Sequence, residues 1–110
     1  MWFFKKKKEK EPPVSTEGMI RMHVIFYGRV QGVGFRFHAT SAAQDLGLTG
    51  WVKNCEDGSV EMEVQGNEDL IYTMIRNLSK AQSIEIQDYK SEVIPVKKNE
   101  KGFKPSYSYF

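Results

Sequence analysis

The sequence predicts an α+β fold in which two helices lie on one face of an antiparallel sheet of four to five strands. Three observations carry this. Apolar residues alternate at period two in separated short runs, the pattern of strands with one buried face. Two intervening stretches repeat apolar residues at helical spacing instead. The boundaries fall on glycine, asparagine, aspartate and proline, the residues that end regular elements.

Each element has its own signal. Met22, Val24 and Phe26 alternate within Met19 to Tyr27, which predicts the first strand. A Gly-rich loop follows. Phe35, Ala39, Ala42, Ala43 and Leu46 then share one helical face, and Gly47 supplies the stop. Thr49 to Asn54 is the second strand. Asp57-Gly58 is a hairpin turn, and Val60, Met62 and Val64 alternate along the third strand. Asn67 is a good N-cap for the second helix, with Glu68 and Asp69 favourable in its first turn. Ile71, Met74, Ile75 and Leu78 form that helix's apolar stripe. Ser83 to Val93 contains the fourth strand, with Ile84 and Ile86 on one face. Pro95 to Gly102 reads as a polar loop. Phe103 to Phe110 is a candidate fifth strand, which Pro105 shortens or confines to an edge.

The order β-α-β-β-α-β is satisfied by a ferredoxin-like sandwich with both crossovers right-handed. The third strand then lies between the first and second, which run parallel. Their C-terminal ends share one edge, about 10 Å apart at two strand spacings. Val52 and Asn54 share a sheet face, so if Val52 enters the core, Asn54 points towards the start of the first helix.

Composition bounds the function. The chain has 110 residues, enough for one domain, and its 40% apolar content supports a packed core. Residues 1–18 read as a flexible N-terminal extension, and 19–110 as the domain. The extension holds five lysines and three glutamates; the rest holds eleven basic and eleven acidic residues. A neutral body argues against nonspecific nucleic-acid binding, which needs many phosphate contacts. Met1-Trp2-Phe3-Phe4 beside Lys5 to Lys8 is too short a patch for stable membrane insertion, and no apolar run reaches the roughly 18 residues that span a bilayer. One cysteine, Cys55, excludes an internal disulfide and fits a reducing, cytoplasmic setting. The expected form is a monomer.

The chemistry lies in Gly28-Arg29-Val30-Gln31-Gly32-Val33-Gly34-Phe35-Arg36. A Gly-rich turn at a helix start leaves backbone N–H groups free to converge on an anion. Arg36 adds a planar fork that matches phosphate geometry. Arg29, in the same run, reads as a solvated or structural charge. Gly50-Trp51-Val52-Lys53-Asn54 is the second informative segment. Asn54 has both donor and acceptor atoms and can hold a water, although asparagine also suits the start of a turn. Neither His23 nor His38 is spaced as a partner base for Cys55, and two histidines so placed give no metal signature.

These two segments, with the Asp57-Gly58 turn before Val60-Glu61, resemble the acylphosphatase family over about residues 19–110. The resemblance implies a βαββαβ fold and hydrolysis of the carboxyl-phosphate bond of acyl phosphates, with no metal and no cofactor. It implies that Arg36 and Asn54 are the essential pair. The backbone N–H groups of Gln31, Gly32, Val33, Gly34 and Phe35, with that of Arg36, complete the phosphate cradle. It further implies that the substrate phosphate assists in deprotonating the water. The segment Phe103 to Phe110 matches the family's last strand only loosely. The alternative is a non-catalytic phosphate-binding or regulatory module. An RNA-binding domain fits poorly, because the third strand, Val60-Glu61-Met62-Glu63-Val64, lacks an aromatic run.

Overall fold

The computed structural model describes residues 18–107. The expected N-terminal extension, apart from Gly18, and the last three residues of the candidate fifth strand lie outside them. The elements are β1 (Met19–Arg29), α1 (Phe35–Asp45), β2 (Thr49–Asn54), β3 (Val60–Asn67), α2 (Glu68–Ser79), β4 (Glu85–Ile94) and β5 (Phe103–Ser106). They form one five-stranded sheet in the order β4-β1-β3-β2-β5. β3 is antiparallel to both β1 and β2, so β1 and β2 run parallel two places apart, as the sequence predicts.

Alternation sets the core. Cross-strand register aligns Met22, Val64 and Gly50 in one row, Val24, Met62 and Val52 in the next, and Phe26, Val60 and Asn54 in the third. All but the glycine and Asn54 are hydrophobic core residues at or near zero exposure. The helices close this face. α1 buries Phe35, Ala39 and Ala43, and α2 buries Ile71, Met74, Ile75 and Leu78. Small alanines let α1 approach the sheet, and the Phe35 ring packs 5.0 Å from Phe26. The helix ends behave as the residues dictate. The Leu48 amide donates to the Ala43 carbonyl and the Gly47 amide to that of Gln44, the paired bonds of a Schellman stop. Among the described residues, no helix is long and apolar enough to cross a membrane.

Three boundaries and one orientation differ from expectation. β1 continues through Gly28 and Arg29, because a bulge after Tyr27 restores pairing to Ile86 and Glu85. β3 runs on to Asn67, which pairs with Met19. β4 ends one residue later than the expected span. The fifth strand is short, lies at the edge and pairs parallel with β2, so the sheet is mixed rather than wholly antiparallel. The route of the chain explains this. β4 finishes at the end of the sheet where β1 and β2 begin, since Ile94 pairs with Arg21. The 95–102 segment crosses at that end, so β5 must start beside Gly50 and run with β2.

A buried arginine fixes that crossing. Arg21 lies on the sheet face opposite the helices and is fully covered. Its guanidinium donates to Glu63 at 2.8 Å, to Gln65 at 3.1 Å, and to both oxygens of Glu100 at 2.7 and 3.1 Å. The Gln65 amide bonds both the N–H and the carbonyl of Lys97. Burial is the largest single influence and pushes the Glu100 carboxyl up, but hydrogen bonding, chiefly from Arg21, and the charges of Arg21 and Lys97 together hold it below the usual carboxylate range. A carboxyl depressed in the fold contributes stability above its unfolded pKa. That contribution is lost as pH falls through the folded value.

Candidate active site

The loop after β1 is anchored at both ends and raised between them. Val30 and Phe35 are buried in the core, whereas Gly32 and Gly34 are exposed. Both glycines are left-handed, with φ of +71° and +80°, a region that side-chain-bearing residues enter at a cost. Gly34 caps α1, and its carbonyl accepts the first helical bond from the His38 amide at 2.9 Å. No side chain caps the helix, and its first turn holds no acidic residue. The amides of that turn have no intrahelical partner, and the helix dipole favours negative charge beside them.

Arg36, half-buried in that first turn, is held by β5. Its Nη1 donates to the Ser106 carbonyl at 3.1 Å, and its guanidinium lies 4.4 Å from the centre of the Tyr107 ring. A guanidinium stacked on an aromatic face keeps the rest of its donor edge for a second partner. Asn54 ends β2 and is 8% exposed. It stands in the row of Phe26 and Val60, on the helix-covered side, as the period-two argument requires.

These pieces enclose one cleft of about 190 Å³. Gly32, Gly34 and Phe35 supply its backbone wall, Arg36 and Asn54 its polar groups, and Val30 its apolar floor; Phe37 and Tyr107 stand beside them. A larger cleft of about 270 Å³ between the helices is lined by His38, Asp45 and Asn77, among others. It has neither a helix start nor a guanidinium, so anion chemistry points to the smaller one.

Side chains brace the loop. The Gln31 amide donates to the carbonyls of Cys55 and Ser59, both at 2.7 Å. It therefore ties the glycine loop to the turn that begins beside Asn54. The Ser83 hydroxyl holds the Val33 carbonyl at 2.9 Å. The Asp57 carboxylate accepts from the Ser59 hydroxyl and amide, and these bonds hold it below its usual range. Gln31, placed in the cradle for its backbone, thus also has a bracing side chain. Arg29 is exposed, as its reading as a solvated charge expects.

Two participants were not legible in the sequence. Ser106, at the end of β5, and Tyr107, just past it, reach Arg36 from a segment whose loose pattern and Pro105 gave no hint of a role at the site. The parallel pairing of β5 with β2 was the missing signal. Trp51 lies in register with Glu63 on the open sheet face, 5.8 Å from the Lys53 ammonium, so it takes no part in the cleft. On that same face His23 pairs with Glu61 at 2.6 Å. Among the described residues no cluster of metal-ligating side chains occurs.

Fold and cleft together define a small α+β protein in which an uncapped helix start, an arginine and an asparagine share one cleft. The acylphosphatase family model matches residues 22–105. An acylphosphatase of Clostridium beijerinckii is 41% identical over 90 residues, covering 81% of this chain and 100% of that protein. One from Geobacillus kaustophilus is 43% identical over 90 residues, covering 81% and 96%. Among solved structures, an acylphosphatase from Coxiella burnetii superposes with a TM-score of 0.77 at 30% identity, covering 86% of this chain and 100% of that one. The chain belongs to the acylphosphatase family of enzymes.

Proposed function

We propose that the cleft hydrolyses acyl phosphates, with Arg36 and the 31–36 loop holding the phosphoryl group and Asn54 orienting the water. One observation carries the assignment of roles. The uncapped start of α1, the Arg36 guanidinium and the Asn54 amide line a single cleft. In this reaction the water oxygen bonds to phosphorus as the bond from phosphorus to the acyl oxygen breaks. The acyl oxygen leaves as a carboxylate, which needs no proton at neutral pH, and the water's proton passes to a phosphoryl oxygen. The protein's task is positioning and charge stabilisation. Arg36 cannot serve as a base, since its guanidinium does not lose its proton in proteins. It can bind the phosphoryl oxygens and follow their charge into the transition state. Asn54 can accept one hydrogen of the water while its own amide donates. We read the protein as a cytoplasmic monomer that works without a metal and binds no nucleic acid; the single cysteine fits a reducing compartment, and the neutral body argues against nucleic-acid binding.

The test is hydrolysis of benzoyl phosphate at neutral pH with excess chelator, comparing wild type with Arg36→Ala. Turnover by wild type and its loss in the variant are expected. Binding of inorganic phosphate with no turnover by folded wild type would move the protein to the regulatory-module alternative.

A further inference from the structure

Phe37 and Tyr107 are 73% and 72% exposed, the two most open of the large hydrophobic side chains among the described residues. Both line the cleft that holds Arg36 and Asn54. An isolated exposed phenylalanine is ordinary, but a pair of exposed rings at the mouth of one small polar cleft is not. Neither ring is loosely placed. Phe37 meets the His38 ring edge-on at 5.6 Å, and Tyr107 stacks on the Arg36 guanidinium.

Geometry fixes what such rings can meet. A phosphoryl group held by the start of α1 and by Arg36 has its oxygens turned into the cradle. The acyl group must then project outwards, past the rim. Among the described residues, Arg36 is the only charged one in the lining. The rim therefore offers no ammonium for an acyl group carrying a second phosphate and no carboxylate for an aminoacyl group. It offers aromatic faces and glycine backbone. Flat apolar groups gain from offset stacking on such faces, whereas an acetyl or carbamoyl group is too small to reach them well.

We propose that Phe37, with Tyr107, selects acyl phosphates whose acyl group is aromatic or otherwise flat and apolar. This rests on the acylphosphatase reading above and adds the class of acyl group. Phe37 acts on the leaving portion of the substrate and not on the phosphoryl group, so its effect belongs in a ratio between substrates.

The experiment measures kcat/KM for benzoyl phosphate and for acetyl phosphate in wild type, Phe37→Ala and Phe37→Tyr. The benzoyl-to-acetyl ratio should fall about five- to tenfold in Phe37→Ala, carried mostly by the KM for benzoyl phosphate. Phe37→Tyr keeps the aromatic face and should keep the ratio. A Phe37→Ala ratio within about twofold of wild type, with benzoyl phosphate still turned over, overturns this proposal alone. No hydrolysis of either compound by folded wild type overturns the activity reading, and this proposal with it. Because the Phe37 side chain is exposed, its removal leaves no cavity that would confuse the comparison with misfolding.

Discussion

The two helices of this protein begin in opposite ways. At α2, the Asn67 side chain accepts from the amides of Asp69 and Leu70, and Glu68 and Asp69 place negative charge in the first turn. That end is satisfied from within. At α1, the capping residue is a left-handed glycine with no side chain, the first turn has no acid, and an arginine stands where α2 has a carboxylate. A terminus without its own acceptor is less stable in isolation and is open to an outside anion. The contrast teaches where stability was given up. The chain can cap a helix fully, and it does so at α2, so the bare start of α1 is a local choice tied to the cleft.

The strongest way to break this contrast is to remove the cation of the open end. Arg36→Ala should lower kcat/KM for benzoyl phosphate by about a thousandfold with the fold retained, checked by steady-state kinetics beside circular dichroism. Arg36→Lys should recover little of it, since a point charge does not reproduce the fork. Next comes the water. Asn54→Ala should cost about a hundredfold, mainly in kcat. Full activity in that variant would remove Asn54 from its assigned role. Giving α1 an acid of its own makes the two ends alike. Gly34→Asp should weaken inhibition by inorganic phosphate more than about tenfold, through like charge at the helix start and strain at positive φ. The reverse change is smaller. Asn67→Ala should cost about 1 kcal/mol in urea unfolding and leave turnover untouched, because its cap serves only the helix. Acid should loosen the Glu100 contact. The thermal midpoint should drop as pH falls below the ordinary carboxylate range, and more shallowly in Glu100→Gln.

Much of this could be read from residue order. Period-two alternation located β1 and β3, and the parallel arrangement of β1 and β2 followed from the element order alone. That placed Asn54 and the glycine loop at one edge before any coordinates. Asn67 and Gly47 gave the helix limits because caps are chemical signals confined to a few residues. What escaped was non-local. Arg21 and Glu100 meet across 79 positions, and Arg36 and Ser106 across 70. No local pattern encodes such contacts. The orientation of β5 depended on the route of a polar loop, and the bracing by Gln31 depended on where a loop brings a side-chain amide. The strand extensions escaped for a related reason, since pairing to a neighbour carries a strand past the last residue of its apolar pattern.

The hold of β5 on Arg36 ties the cleft to the opposite sheet face. β5 reaches its place beside β2 through the 95–102 segment, which Glu100 fastens to Arg21 and Lys97 fastens to Gln65. Whatever loosens that fastening also loosens the strand whose Ser106 carbonyl holds the Arg36 guanidinium, so the cleft is exposed to damage at a distance from itself.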